Sequence, residues 1–436
     1  MIKRDKYLNQ LITAMKNGMP KVITGIRRSG KSYLLKNIFR DYLLQQHVQS
    51  QNIISIELDD IINYQYRNPL KLTSFIRDSV AHLDGIVFVF IDEVQLISSI
   101  VNPELTDGKI VLAKKDDSSV ISFVDVVLGL SRLPNVDLYV TGSNSKLLSK
   151  DVFTEFRDKA TNIHVLPLSF EEYYDYIGGD EQSAFYEYLM HGGMPLCVLK
   201  PRDEKEKYLK ELFSLTYFKD ILEHNSFKKA ETLDEICDVL SSMSGQLLNS
   251  QRIAHIVESR KREKIDKGTV DKYIEAFVDS YIISEAKRYD IKGTSPIGAT
   301  RKYYFQDTGL RNARLDFASP DFGQMIETAI YNELIYRGYN VRVGSFDQVE
   351  KDENGKSVLK SYEVDFYATK GIDSLYIQAT DNVEDESTLT REQRPFKLIR
   401  DSVKKMIIVN RPIKPIKMAD GIIVEGVVDF LLDYLK

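Results

Sequence analysis

At 436 residues, with 43% hydrophobic, 28% charged and 10% aromatic residues and only 12 prolines, the chain has an ordinary globular composition and the length for two to four domains. That excludes a stapled miniprotein, a collagen-like rod and a disordered tract. Lys and Arg number 59 against 64 Asp and Glu, a net charge of -5, so any contact with nucleic acid or a membrane surface must be local.

Cys197 and Cys237 are too far apart in sequence to form a disulfide framework or a metal cluster of their own, and are expected to pack as small hydrophobes. The N-terminal MIKRDKYLNQ has no apolar signal stretch, and no run approaches the roughly 18 apolar residues of a membrane span. A cytoplasmic location without a membrane partner is expected.

The first part alternates short β-branched runs with longer helical patterns, which predicts a parallel sheet covered by helices. The predicted strands are Lys21–Thr24, Ile53–Leu58, Ile86–Asp92, Val136–Thr141 and Ile163–Leu166. The polar, aperiodic stretch Asn102–Val120 reads as a surface insertion.

Between the first strand and an amphipathic helix pattern lies Gly25-Ile26-Arg27-Arg28-Ser29-Gly30-Lys31-Ser32, followed by Tyr33, a full G-x-x-x-x-G-K-S match. Strand, loop and helix in that order gather backbone N–H groups and a helix N-terminus around one anion site. The glycines permit the loop's backbone angles, Lys31 is expected to reach the β- and γ-phosphates of ATP, and Ser32 to place its hydroxyl on Mg²⁺. The apolar run Ile86–Ile91 ends in Asp92-Glu93, an acidic pair at the carboxyl end of a buried strand, where open α/β sheets bind ligands. Asp92 is expected to hold Mg²⁺ through water and Glu93 to polarise an attacking water, which favours hydrolysis over transfer to a bound acceptor. The strand ending in Thr141-Gly142-Ser143-Asn144 offers a γ-phosphate sensor, with Asn144 the first candidate and Thr141 or Ser143 the alternatives.

From Phe170 to about Asn225 the pattern is helical, interrupted by Gly192-Gly193-Met194-Pro195. Three helical segments from Glu231 and two short strands then follow in the order of a winged helix. Its recognition helix is predicted at Gly268–Ser280, after the basic run Ser259–Lys264, with Arg288, Lys292, Arg301 and Lys302 in or around the hairpin. Lys272 is the only cation of that helix, among Asp271, Glu275 and Asp279, which argues against reading base edges and for a packing role. The last segment, from about Pro320, reads as a small α/β domain.

The set KVITGIRRSGKSYLL, FIDEVQ, YVTGSNSKLLS, HVLPLSFEEY and YLMHGGMP resembles a family of prokaryotic AAA-type ATPases, near the signal-transduction and archaeal ATPase branches. Its members end in a domain of unknown function related to restriction endonucleases. The resemblance spans essentially the whole chain. It implies an α/β P-loop sheet at 1–169, a helical lid at 170–228, a winged helix at 229–317 and a restriction-endonuclease-like domain at 318–436. The family's Arg-Gly-Arg run is Arg157-Asp158-Lys159 here, and a lysine lacks the bidentate fork of arginine, so slow or activator-dependent hydrolysis is expected.

In the end domain, Glu363-Val364-Asp365 and Leu375–Thr380 resemble the core hairpin of PD-(D/E)-x-K nucleases, with Glu327 upstream on a helix. Asp365 fits the first metal ligand, but Gln378 stands at the second acidic place and Thr380 at the lysine's, so the domain is expected to be catalytically silent. The leading expectation is an Mg²⁺-dependent ATPase that couples nucleotide state to domain rearrangement. The alternative is an ATP-switched DNA-binding regulator or defence module, with a nuclease as the third reading. DNA or a protein client, reached through the winged-helix and C-terminal domains, is left open as partner, as is the oligomeric state.

Overall fold

The computed structural model describes residues 2–114, 117, 119–142, 156, 159–225, 227, 230–261, 264–318, 321–352, 355–381 and 386–435. The chain forms two compact units, Lys3–Leu166 and Pro167–Lys436, the latter with Met1–Ile2.

The first unit is built on a five-stranded parallel sheet of β1 (Lys21–Thr24), β2 (Ile53–Glu57), β3 (Val87–Asp92), β6 (Val136–Thr141) and β7 (Thr161–His164), in the order β2-β3-β6-β1-β7. Four of these strands lie within a residue of their predicted positions. The last starts two residues earlier than predicted, because Thr161 already pairs with Lys21. Strand β3 is buried along its length because it alternates two apolar faces. Val87, Val89 and Ile91 join one core with Leu72, Ile76 and Val80 of helix Pro69–Val80 and Val127 and Leu130 of helix Phe123–Ser131. Phe88 and Phe90 face the other side, where both rings and Tyr139 close on Phe39. Ser122 and Asp125 form a reciprocal cap that starts helix Phe123–Ser131. The stretch expected as a surface insertion, Asn102–Val120, is bracketed by a small antiparallel pair, β4 (Ile100–Val101) with β5 (Val120–Ile121).

The second unit is organised by an eight-stranded mixed sheet. Its strands are β8 (Ile283–Asp290), β9 (Ser295–Phe305), β10 (Asn340–Lys351), β11 (Ser357–Lys370), β12 (Asp373–Thr380), β13 (Lys404–Val409), β14 (Ile416–Lys417) and β15 (Ile423–Gly426), in the order β14-β15-β13-β12-β11-β10-β8-β9. The three helices read from sequence appear at Ala230–Ser242, Ser250–Lys261 and Lys267–Asp279. Their hairpin β8–β9 does not stand apart, since β8 pairs in parallel with β10. One core gathers Phe170, Phe185 and Tyr188 from the segment after the first unit, Ala286 and Tyr304 from the hairpin, and Ile326, Ile330, Phe366 and Ile377 from the C-terminal part. Both cysteines are buried and unbonded to each other.

Candidate functional site

The phosphate loop is held open by backbone geometry. Gly25 has φ +139°, and a Cβ there would lie 2.1 Å from the carbonyl oxygen of Val165, so only glycine lets the loop pass the segment after β7. Gly30 takes φ +94° as the cap of the following helical run, Lys31–Tyr33, Leu34–Phe39 and Arg40–Gln45, of which the middle part is π-type. Arg28 is also left-handed, at φ +65°. The buried Arg4 pins the loop from behind, donating to the carbonyls of Ser29 (3.4 Å) and Leu166 (2.6 Å). Ile26 is buried, whereas Arg27, Arg28 and Tyr33 are exposed.

Lys31 is buried, and its Nζ donates to the carbonyls of Gly25 and Ile26, each at 3.0 Å. Burial pushes its ammonium down to about 8, against the pull of Glu93 and Asp92. Ser32 Oγ donates to Asp92 Oδ1 at 2.9 Å, and Thr141 Oγ1 hydrogen-bonds the same oxygen. Thr141 Oγ1 also accepts the backbone N–H of Glu93 at 3.1 Å, which fixes the acidic pair against the end of β6. Glu93 sits at φ +55°, turned away from the strand direction, and its carboxylate accepts from Gln95 Nε2. The sequence-predicted Gly25, Gly30, Lys31, Ser32, Asp92 and Glu93 therefore converge at the carboxyl ends of β1 and β3. Asn144, Ser143, Arg157 and Asp158 lie outside the described residues, and Lys159 is exposed.

Three residues here went unremarked in the sequence reading. Lys36 reaches Glu57 Oε2 (2.7 Å) and Asp92 Oδ2 (3.4 Å), and although burial works against its ammonium, these two carboxylates hold its pKa above the usual lysine value. Glu57 pairs in register with Asp92 across β2 and β3. The spacing of Lys36 four residues after Ser32, on one helix face, was the available signal. His164 closes β7 with Nδ1 3.2 Å from Thr24 Oγ1, and burial, with Lys31 and Lys6 adding, pushes its pKa down to about 4. No pattern marked it.

The donor set fits a phosphate anion with a hard cation. Ser29 Oγ is buried with no hydrogen-bond partner among the described residues, Gly25 leaves a cradle that a Cβ would fill, and a hydroxyl is hydrogen-bonded to a carboxylate beside a lysine. Residues 17–174 match the family model of the AAA domain, and residues 182–321 match a domain of unknown function (DUF8612). The parallel sheet, its phosphate loop and this match make residues 17–174 a nucleotide-binding P-loop domain of the AAA type. An uncharacterized protein of Haemophilus influenzae is 30% identical over 437 residues, 99% of each chain, and this chain belongs to the same family. An uncharacterized protein of Methanocaldococcus jannaschii is 24% identical over 417 residues, 92% of this chain and 82% of that one. The solved ORC1 protein of Aeropyrum pernix in complex with DNA is 11% identical, over 72% of this chain and 92% of that chain, at a TM-score of 0.28, too low to bear on function.

In the second unit the HGGMP turn is structural. Asp307 Oδ2 accepts the N–H of Gly193 at 2.7 Å, Leu168 N–H donates to the Gly193 carbonyl at 2.8 Å, and a Cβ on Gly193 would lie 2.3 Å from the Leu168 carbonyl oxygen. Glu327, Glu363, Asp365 and Gln378, singled out in the end domain, also come together. Lys302 Nζ, buried, lies 2.8 Å from Glu327 Oε1, 2.8 Å from Glu363 Oε1 and 3.1 Å from Asp365 Oδ1. Gln378 Oε1 accepts the N–H of Asp365 at 2.8 Å and its Nε2 donates to Glu392 Oε2 at 2.8 Å.

Four of the basic residues expected to face phosphates have partners within the chain, whereas Lys264 is exposed. Arg260 faces Glu235 (3.8 Å), Lys261 faces Glu231 (3.7 Å) and Glu235 (3.8 Å), Arg301 pairs with Glu285, and Lys292 bonds Gln348. Arg262 and Glu263 lie outside the described residues. Among the described residues no helix is long and apolar enough to cross a membrane.

Proposed function

We propose that Lys3–Leu166 binds ATP with Mg²⁺ and hydrolyses it, and that nucleotide state drives rearrangement of the second unit. What supports this reading above all is the hydrogen bond of Ser32 to Asp92 beside the buried Lys31. Ser32 and Asp92 would hold the cation, which when bound supplies charge neutralisation at the phosphate oxygens. Lys31 would exchange the carbonyls of Gly25 and Ile26 for the β- and γ-phosphates, and the loop N–H groups and Ser29 Oγ would donate to phosphate oxygens. Glu93 would release Gln95 and accept a hydrogen bond from the attacking water, with Asn144, or else Thr141 or Ser143, sensing the γ-phosphate. Lys159 in place of the second family arginine favours slow or activator-dependent turnover.

Within the second unit we assign 170–228 to a lid, 229–317 to a winged helix used for packing, and 318–436 to a silent nuclease-like fold. The ammonium of Lys302 among its three carboxylates, and Gln378 tied to Asp365 and Glu392, support silence. The test is a pair of variants assayed for nucleotide binding and phosphate release. Lys31→Ala should abolish ATP binding, and Glu93→Gln should keep binding and stop hydrolysis. If both bind and hydrolyse like wild type, the site assignment is wrong.

A further inference from the structure

Ser32 and Lys36 are four residues apart on the helical run after the phosphate loop, so their side chains leave one face. That face meets the carboxyl ends of β2 and β3, where Glu57 and Asp92 are register partners on adjacent parallel strands. The two oxygens of Asp92 are divided between them: Oδ1 accepts from Ser32 at 2.9 Å, and Oδ2 lies 3.4 Å from Lys36 Nζ. The same ammonium is nearer to Glu57 Oε2, at 2.7 Å.

An ammonium at this position opposes a divalent cation in two ways. It covers a carboxylate oxygen that the cation or its water shell needs, and it repels the cation as a like charge. Glu57 has the opposite effect, because it offers the ammonium a second carboxylate, on strand β2 beside Asp92.

We propose that Lys36 is a positioning residue that competes with the metal for Asp92, and that Glu57 receives its ammonium when the metal–nucleotide enters. The pair would thereby set the Mg²⁺ concentration at which the site loads. This inference rests on the Mg²⁺–ATP reading above. It concerns regulation of loading rather than the chemical step.

The test is an Mg²⁺ titration of binding of a fluorescent ATP analogue, repeated with Mn²⁺ followed by electron paramagnetic resonance, so that no step depends on turnover. Lys36→Met should lower the half-saturating metal concentration about three- to tenfold, a range kept modest because Lys36 is about one quarter exposed and screened. Glu57→Gln should raise it by a similar factor, since the ammonium then has Asp92 as its remaining carboxylate. The double variant should match Lys36→Met, because Glu57 acts through Lys36. Lys36→Gln repeats the first arm should the methionine variant fold poorly.

Opposite signs are the deciding feature, since a pair that merely braced the fold would weaken loading in both single variants alike. Two shifts in the same direction, or none, would overturn the competitor role while leaving the site reading intact. A wild-type protein that binds no nucleotide at any metal concentration would overturn the site reading itself.

Discussion

The buried pair Lys21–Asp137 underlies the phosphate loop, because β1 runs from Lys21 to Thr24 directly into Gly25. Lys21 is fully buried and Asp137 4% exposed, and Asp137 also accepts the N–H of Lys16 at 3.0 Å and the hydroxyl of Tyr139 at 2.8 Å. Asp137→Ala leaves a buried ammonium that, among the described residues, keeps the Tyr139 ring 5.1 Å away. Breaking a buried pair from one side costs about 3–5 kcal/mol, so we expect about 4 kcal/mol. Lys21→Met should cost about 3 kcal/mol, because two neutral donors still serve the carboxylate. The double variant Lys21→Met/Asp137→Leu removes both charges and should cost only about 1–2 kcal/mol, mostly from the Tyr139 hydroxyl bond. The coupling is then about 5–6 kcal/mol. With a urea slope of about 2–3 kcal/mol per molar, Asp137→Ala should shift the midpoint by about 1.3–2 M. Urea unfolding followed by peptide-resolved hydrogen exchange in β1 and β6 separates this unit from the other. A single-variant cost below about 1 kcal/mol, or a double variant as unstable as the sum of the singles, would refute the reasoning.

Lys31 must be charged to bind phosphate, and its pKa in the free protein is about 8, so nucleotide affinity should be flat near neutrality. Above pH 8 it should fall by up to about tenfold per unit, read by fluorescent-nucleotide titration to pH 9.5. Burial raises Asp307 to about 6 and Glu327 and Glu333 to about 7 in the folded second unit. Folded pKa values above the unfolded ones mean that the folded state binds more protons, so stability is full below about pH 4 and is lost as pH rises through 6–7. The urea midpoint of that unit should accordingly be higher at pH 5.5 than at pH 8. Gly309→Ala would place a Cβ 2.2 Å from the His191 carbonyl oxygen, and with Gly193→Ala should destabilise by roughly 3 kcal/mol or more. Gly338→Ala meets only its left-handed φ of +84° in open space, and should cost about 1 kcal/mol when all three variants are compared by urea unfolding.

The first unit was readable because its signals are local. A glycine-bounded loop between a strand and a helix, and an acidic pair after the apolar run Ile86–Ile91, each carry their meaning within a few residues of sequence. Thr141, held as an alternative sensor, already touches Asp92 and the N–H of Glu93, which needs β6 beside β3, an order that sequence does not print. Lys36 and Glu57 stayed hidden for the same reason: each looks like a solvated charge until the parallel register sets Glu57 beside Asp92.

The second unit was less readable because its meaning lies in long-range pairing. The hairpin β8–β9 reads locally as a wing, yet hydrogen bonds from β8 to Ser345 and its neighbours make it part of the C-terminal sheet. That placement turns Lys302 inward. Read along the chain it was one more basic residue beside a wing; across the sheet it is the counter-charge of Glu327, Glu363 and Asp365. The same inversion applies to Arg260 and Lys261, whose partners on helix Ala230–Ser242 lie some twenty-five to thirty residues upstream in sequence, by their numbering. A basic run is evidence for phosphate binding only while its charges are unspent. Here the fold has matched these cations to carboxylates of its own, so a DNA contact through these residues would first have to break those pairs. Those pairs are 3.7–3.8 Å long and partly exposed, worth about 0–1 kcal/mol each, so their effect is to lower the free charge of the run rather than to set a high cost on breaking them.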